Sequence, residues 1–150
     1  MSADYQRPQA LYRYASQDSL QRALDLGEFQ LQPANQCLTL GFSTASNPAL
    51  FGPADDACLI IHRTEEFGER LHRAVQRLLP NWAGIDGAVE YGKRSMLGAA
   101  FSREKALAEQ QEWQFAWRPR HAVTGMQAIV VKIGSLADLA ELRSKGSYLN

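Results

Sequence analysis

The sequence has little cysteine and no long hydrophobic run. Its two cysteines, Cys37 and Cys58, lie in apolar stretches, which favours buried thiols over a disulfide. No apolar segment approaches the roughly 20 residues that a membrane-spanning helix needs, and the polar N-terminal stretch lacks the apolar centre of a signal peptide. We therefore expect a protein without a membrane partner that folds in the reducing cytosol. Delivery into another cell by a machine that ignores signal peptides would also fit.

A surplus of either charge is also absent, because 16 basic residues balance 16 acidic ones. General nucleic-acid binding depends on a basic surplus, so it is not expected. The three histidines, His62, His72 and His121, are isolated from one another and from cysteine, and no metal site is predicted. Glycine-rich phosphate loops and the Gly-x-Ser-x-Gly turn are missing. A serine–histidine–acid triad is neither indicated nor excluded, since its members need not be adjacent.

The residues that are present predict one α+β domain over residues 1–150. Hydrophobic residues make up 45% of the chain, which is enough for an independent core. Strand and helix patterns mix without a regular βαβ order. The clearest helices run from the cap Ser16 to Gly27 and from the cap Thr64 to Pro80. The predicted strands cover residues 11–14, 29–31, 38–42, 57–62, 89–91, 112–117 and 128–133.

Two further helices are predicted in the second half of the chain. Ser102 would cap a helical stretch over residues 103–109, and Ser135 with Asp138 matches a capping box for a last helix. The glycine-rich segment 81–98 gives no clear assignment outside its possible strand. The last helix would carry Leu136, Leu139 and Leu142.

The most regular pattern is the strand over residues 112–117, where aromatic residues occupy every second position. Period-two alternation predicts that the aromatic side chains face the core and that the polar side chains share the opposite face. A solvated strand face is the ordinary explanation for such a polar set. The core set is Trp113, Phe115 and Trp117. The polar set is Glu112 and Gln114, together with Gln110 if the strand begins by that residue.

Three polar signatures follow one another along the chain. Arg13 lies in a strand between two tyrosines, where a guanidinium can bind a phosphate through two hydrogen bonds. Ser43 and Thr44 end a strand, where hydroxyls can position a substrate or a carboxylate. Glu112 begins the aromatic strand, where a carboxylate can stabilise an oxocarbenium-like sugar. Each signature alone also fits a structural role, as an arginine packed on aromatics, a hydroxyl-rich turn or a solvated face.

Together these signatures resemble the arginine–serine–glutamate class of ADP-ribosyltransferases over about residues 11–117. The resemblance implies a split, mixed β-sheet with flanking helices that binds NAD in a cleft. It implies that Arg13 holds the NAD phosphates, that Ser43 orients the glutamate and that Thr44 supports the same strand end. Glu112 would hold the nicotinamide ribose hydroxyl while the glycosidic bond breaks, and Gln110 would address the acceptor.

The chain departs from that family in its serine motif, where Ala45 replaces the usual third serine or threonine. A glutamine at position 110, rather than a glutamate, makes arginine a less favoured acceptor side chain. A second resemblance shares Arg13 and Glu112 and concerns an uncharacterised family of bacterial and phage proteins, some of them associated with phage defence. Its members usually carry an arginine where this chain has Gln114. The matching stretches are residues 11–14, the helix ending at Gly27, residues 111–113 and residues 133–136.

The leading hypothesis is an NAD-dependent ADP-ribosyltransferase that modifies a protein or nucleic-acid acceptor. Such an enzyme would be a bacterial toxin, an effector or a phage-conflict protein, and a cognate inhibitor protein would be a natural partner. The alternative is a non-catalytic protein-binding module on a similar fold, for example an immunity or antidefence factor. Nucleic-acid binding through Trp82, Trp113, Trp117 and residues 118–120 is less favoured, because stacking surfaces normally accompany a positive groove.

Overall fold

The computed structural model describes residues 6–148, which form two α-helices and ten β-strands. The predicted α+β class is confirmed. Helix α1 spans Gln17–Leu26 and helix α2 spans Thr64–Leu78. Short 3-10 helices cover Pro48–Leu50, Ala99–Phe101, Lys105–Gln110 and Lys145–Tyr148. The strands are β1 (Leu11–Ala15), β2 (Glu28–Ala34), β3 (Cys37–Ser43), β4 (Ala57–Ile61), β5 (Trp82–Ala88), β6 (Glu90–Tyr91), β7 (Ser102–Arg103), β8 (Glu112–Pro119), β9 (Ile129–Lys132) and β10 (Ala140–Ser144).

Local capping sets the ends of α1 as predicted, but not the start of α2. The Ser16 side chain accepts a hydrogen bond from the Ser19 amide, and Gly27 closes α1 in the left-handed conformation at φ 63°. The residue before α2 is Arg63, which forms no side-chain cap. The hydroxyl of Thr64 donates to the Pro8 carbonyl oxygen instead, because the N-terminal segment lies against this end of the helix.

Eight of the described strands form one sheet, in the order β10-β4-β1-β3-β2-β9, with β8 also paired to β3 and β5 paired to β8. The pairings within this sheet are antiparallel. Strands β6 and β7 form a separate parallel pair. The expectation of a mixed sheet is therefore corrected: the described pairings are mostly antiparallel, and the parallel β6–β7 pair lies outside the eight-stranded sheet.

Strands β1 and β2 pair with the same edge of β3, at different points along it. Leu38 and Thr39 pair with both β2 and β8, so these two strands lie on opposite edges of β3. Ser43 pairs with both β1 and β8, which places β1 on the same edge as β2. Residues 40–42 pair with neither β1 nor β2 in the described part of the chain. We call this unpaired stretch the split edge of β3.

The hydrophobic core covers the face of the sheet that carries the aromatic side chains of β8. Trp113, Phe115 and Trp117 are 7%, 0% and 2% exposed, which confirms the alternation. Phe67 of α2 packs edge-on against Phe115 with ring centroids 6.0 Å apart. Leu78, the last residue of α2, is 54% exposed and lies outside this core. Both cysteines, Cys37 and Cys58, are buried and are not joined in a disulfide.

The predicted last helix is wrong. Residues 140–144 form β10, which pairs with β4 and places Leu142 opposite Leu59. The Ser135 hydroxyl accepts a hydrogen bond from the Ala137 amide, so the apparent capping box closes only a turn. Pairing with β4 stabilises residues 140–144 as a strand. Strand pairing and core burial override the weak helix propensity of this segment. Leu136 and Leu139 are buried all the same, at 0% and 1% exposure.

The helix expected over residues 103–109 is also wrong in type. The segment contains part of β7 and the 3-10 helix Lys105–Gln110. Ser102 does not cap it, because its hydroxyl donates to the Gly98 carbonyl oxygen and accepts from the Ser95 amide. In the glycine-rich segment before it, β5 forms the longest stretch that the sequence pattern missed.

Candidate functional site

A polar cleft of about 380 Å³ lies over β1, β3 and β8. Glu112 and Gln114 alternate along β8 with core residues, so their side chains project from the face opposite the aromatic core. The cleft brings together four of the five residues that the sequence indicated, and only Thr44 lies outside its lining. The four are Arg13, Ser43, Gln110 and Glu112.

Arg13 occupies the split edge of β3. Its Nη1 donates to the carbonyl oxygen of Gly41 at 2.7 Å, and its guanidinium carbon lies 5.9 Å from the centre of the Phe42 ring. Burial lowers the pKa of Arg13 from its ordinary value, and the negative charge of Asp55 opposes this shift. Within residues 6–148 the guanidinium forms no ion pair, so most of its five N–H donors remain available to an anion.

Arg13 lines two cavities. Arg13 lines the polar cleft on one side and a second cavity of about 330 Å³ on the other. The second cavity is formed by α1 and β2, and it contains the ion pair between Arg22 and Glu28 at 3.1 Å.

Glu112 presents its two carboxylate oxygens to different surroundings. Oε1 accepts a hydrogen bond from the Tyr91 hydroxyl at 3.0 Å and lies 4.0 Å from Nε of Arg103. Oε2 accepts no hydrogen bond from the residues that the structure describes. A Cβ placed on Gly41 would lie 4.0 Å from Oε2. With its side chain 19% exposed, the carboxylate is held through one oxygen and presents the other toward Gly41.

Tyr91 contacts Glu112 twice. Its hydroxyl accepts from the Glu112 amide at 2.9 Å while donating to Oε1. Burial and the nearby charge of Glu112 raise the pKa of Tyr91 to about 12, although the Glu112 amide and the charge of Arg103 oppose the rise. The sequence predicts a strand over residues 89–91, but no local pattern indicates that the Tyr91 side chain reaches Glu112.

Ser43 holds the turn that leads into Glu112. Its hydroxyl donates to the Gln110 carbonyl oxygen at 2.8 Å and accepts from the Ala45 amide at 3.0 Å. Both hydrogen-bonding directions of this hydroxyl are therefore used by the backbone. Among the described residues, Tyr91 is the one whose hydroxyl contacts the Glu112 carboxylate. Ser43 influences Glu112 only indirectly, by holding the turn before it.

Thr44 supports the same turn from the neighbouring position. Its hydroxyl and its amide donate to the Gln111 carbonyl oxygen at 3.0 Å and 2.8 Å. Gln111 has a left-handed backbone with φ 43°, a conformation that costs free energy for a residue other than glycine. The bonds from Thr44 offset that cost and fix the direction in which the chain enters β8.

Gln110 ends the 3-10 helix Lys105–Gln110 and is not part of β8. Its expected position on the strand face of Glu112 is therefore wrong, although its exposed side chain lines the cleft. Gln114 is on that face and is 3% exposed, with Nε2 donating to the Ala100 carbonyl oxygen at 3.3 Å. Its Oε1 would lie 3.0 Å from a Cβ on Gly41, so only glycine leaves this part of the floor open.

A second polar cluster lies under the sheet, on the core side. Asp86 is 2% exposed and accepts hydrogen bonds from Arg7, His72 and Trp113 at 2.8–2.9 Å. Burial raises the pKa of Asp86, but these hydrogen bonds outweigh it and hold the pKa well below its ordinary value. The Trp117 indole donates to Nδ1 of His72 at 3.1 Å. Because an indole N–H can only donate, Nδ1 accepts and Nε2 carries the proton shared with Asp86.

The Asp86 cluster is structural. Both nitrogens of His72 are occupied by protein groups, so neither is directed at a substrate. The cluster joins the N-terminal segment through Arg7, α2 through His72, and β8 through Trp113. Among residues 6–148 no group of three or more histidine, cysteine, aspartate or glutamate side chains is arranged to hold a metal ion. No helix in that range combines the length and apolar character needed to cross a membrane.

Comparison with known proteins finds no relative for this chain. No protein-family model matches it, and searches of curated proteins and of solved structures find no significant match.

Proposed function

We propose that this chain is an NAD-consuming transferase of the ADP-ribosyltransferase type, built on an ADP-ribosyltransferase-like split sheet and acting on a macromolecular acceptor. The observation that carries the proposal is that Arg13 and Glu112 line one cleft, on either side of Gly41. They come from strands about 100 residues apart in the sequence, and between them they provide a cation and a carboxylate.

The chemistry of the lining suits a dinucleotide that ends in a positively charged ring. Arg13 offers N–H donors to a diphosphate, which a guanidinium binds through paired hydrogen bonds. The cleft volume of about 380 Å³ falls in the range of about 300–1,000 Å³ common for small-molecule sites. Arg13 also lines the second cavity of about 330 Å³.

The reaction would replace one bond at the ribose by another. The bond from the ribose carbon to the nicotinamide nitrogen breaks, and its electron pair leaves with neutral nicotinamide. Positive charge then develops on the ribose, and the Glu112 carboxylate stabilises it while accepting a hydrogen bond from a ribose hydroxyl. A lone pair of the acceptor forms the new bond, and the acceptor proton passes to water. Gln110, exposed beside the cleft, would contact the acceptor.

The direct test is calorimetry of the chain with NAD, together with measurement of nicotinamide release. Saturable heat and release of nicotinamide that depends on the chain would support the proposal. The proposal is ruled out if the chain neither binds NAD nor releases nicotinamide, whether or not cell extract is present.

A non-catalytic protein-binding module is the second candidate, and an exposed apolar cluster favours it. Ile85 and Leu97 are 45% and 41% exposed, and they line an apolar cavity of about 170 Å³. Met96 beside them is fully exposed. Exposed apolar groups of this kind are common at protein interaction sites. This candidate expects no heat with NAD and no response to changes at Glu112.

A further inference from the structure

Tyr91 and Glu112 form a reciprocal pair of hydrogen bonds. The Glu112 amide donates to the Tyr91 oxygen at 2.9 Å, and the Tyr91 hydroxyl donates to Oε1 of Glu112 at 3.0 Å. The direction of both bonds is fixed, because an amide N–H cannot accept and an ionised carboxylate cannot donate. The single phenolic proton is therefore committed to Oε1.

The strands around Tyr91 hold it in place. The Val89 amide donates to the Glu112 carbonyl oxygen at 3.0 Å, which ties the start of β6 to β8. Tyr91 pairs with Arg103 in the parallel β6–β7 ladder. Its neighbour Gly92 donates from its amide to the Arg103 carbonyl oxygen at 2.9 Å. Tyr91 and Arg103 thus approach Oε1 from one small, hydrogen-bonded unit.

We propose that Tyr91 is the positioning residue for Glu112, and that it holds Oε1 so that Oε2 meets the ribose hydroxyl beside Gly41. This inference rests on the proposed function. The family resemblance implies that Ser43 orients the glutamate, but the Ser43 hydroxyl is hydrogen-bonded to backbone groups of the turn. We assign the orienting contact to Tyr91 instead. A carboxylate fixed through one oxygen loses less rotational freedom when the other engages a substrate, so the benefit falls on the chemical step.

The test combines kinetics with a titration that does not depend on activity. Tyr91→Phe removes the phenolic oxygen and both hydrogen bonds while keeping the ring. We expect nicotinamide release at saturating NAD to fall by about 10- to 100-fold, with KM changed less than about 3-fold. In the Glu112→Gln background the same change should have little further effect, because Tyr91 acts through Glu112. A purely structural role would lower the rate and the melting temperature in both backgrounds.

The titration follows the tyrosine ζ-carbon by NMR in the unmodified chain and in Glu112→Gln. The charged groups that face the hydroxyl are Glu112 and Arg103. Burial is the main cause of the raised pKa of Tyr91, and the charge and side-chain hydrogen bond of Glu112 add to it, so the pKa of Tyr91 should be lower in Glu112→Gln than in the unmodified chain. This measurement also decides the matter if Tyr91→Phe fails to fold.

The outcomes separate the two proposals. An active chain whose Tyr91→Phe variant keeps full turnover overturns the positioning role and leaves the proposed function standing. Equal titration of Tyr91 with and without Glu112 shows that the hydrogen-bonded pair does not form, and it overturns the role on its own. A chain that shows the titration shift but releases no nicotinamide overturns the proposed function, and the positioning role falls with it.

Discussion

Arg13 and Glu112 approach each other across one glycine. Nη1 of Arg13 donates to the Gly41 carbonyl oxygen at 2.7 Å, and Oε2 of Glu112 would lie 4.0 Å from a Cβ on the same residue. This arrangement depends on the split edge of β3, because a strand paired along residues 40–42 would already occupy the space that the Arg13 side chain fills.

Glu112→Gln should lower turnover by about 100- to 1,000-fold and leave the fold intact. The substitution removes the charge that faces the developing cation, and loss of one such electrostatic contact costs about 100- to 1,000-fold in rate. Nicotinamide release measured by chromatography checks the effect, with thermal melting as the test of folding. The matched control is Glu109→Gln, which neutralises an exposed glutamate outside the cleft lining. Nicotinamide release at the full rate by the Glu112 variant would show that Glu112 takes no part in the reaction.

Gly41→Ala should lower the affinity for NAD, with a smaller effect on the free energy of unfolding. The new methyl group would lie 3.0 Å from Oε1 of Gln114 and would narrow the floor between Arg13 and Glu112. One misplaced methyl group in a binding site costs about 10-fold or more in affinity. Calorimetry with NAD measures the loss. Gly146→Ala is the control, because a Cβ there meets only the Ser144 hydroxyl at 4.0 Å, and unchanged affinity in the Gly41 variant would contradict a ligand at this position.

Arg13→Lys should raise KM for NAD by about 10-fold with a smaller effect on turnover, because lysine keeps the charge but loses the paired hydrogen bonds. Steady-state nicotinamide release over a range of NAD concentrations gives both constants. Arg77→Lys on the exposed last turn of α2 serves as the control. An unchanged KM in Arg13→Lys would argue that the guanidinium serves only the Gly41 carbonyl.

Asp86→Asn should destabilise the fold by about 3 kcal/mol, because it removes the buried carboxylate that pairs with the Arg7 guanidinium and leaves that guanidinium only the exposed carboxylate of Glu65 among its described ion pairs. Urea unfolding measures the change. Asp138→Asn is the control, since that side chain is 60% exposed and lies 3.6 Å from Arg70. A loss equal to that of the control would show that the cluster contributes little.

The same cluster predicts a dependence of stability on acid pH. The pKa of Asp86 is lower in the folded chain than its ordinary value of 3.8. Its contribution is therefore complete above pH 3.8 and is lost as pH falls toward the folded-state value. Urea midpoints measured from pH 6 down to about pH 2.5 should fall less steeply for Asp86→Asn than for the unmodified chain. Parallel curves would show that Asp86 does not carry the acid sensitivity.

The sequence patterns that predicted structure correctly are those in which a residue's neighbours decide its environment. Ser16 and Gly27 define α1 because both capping contacts span a few residues. The alternation of Trp113, Phe115 and Trp117 predicts the two faces of β8, because period two is a property of any strand. Arg13, Ser43 and Glu112 could be selected in the same way, by residue type at a strand or a strand end.

The remaining features depend on contacts between residues that are distant in sequence. Residues 140–144 carry a helix-like pattern but pair with β4, whose open edge is invisible in the local sequence. Gln110 lies in the 3-10 helix before β8, where the hydroxyl of Ser43, 67 positions earlier, donates to its carbonyl oxygen. Tyr91 is 21 positions from Glu112, and only the β6–β7 unit brings the two together.

By itself, the sequence determined the α+β class, the core face of β8 and the residues that carry the polar chemistry, since these follow from local periodicity and side-chain type. Tertiary structure alone decided that β1 and β2 diverge along β3, that Arg13 fills the space between them, and that Tyr91 rather than Ser43 contacts the Glu112 carboxylate. The physical reason is that strand pairing satisfies backbone groups between distant segments, and no local pattern specifies which segments will meet.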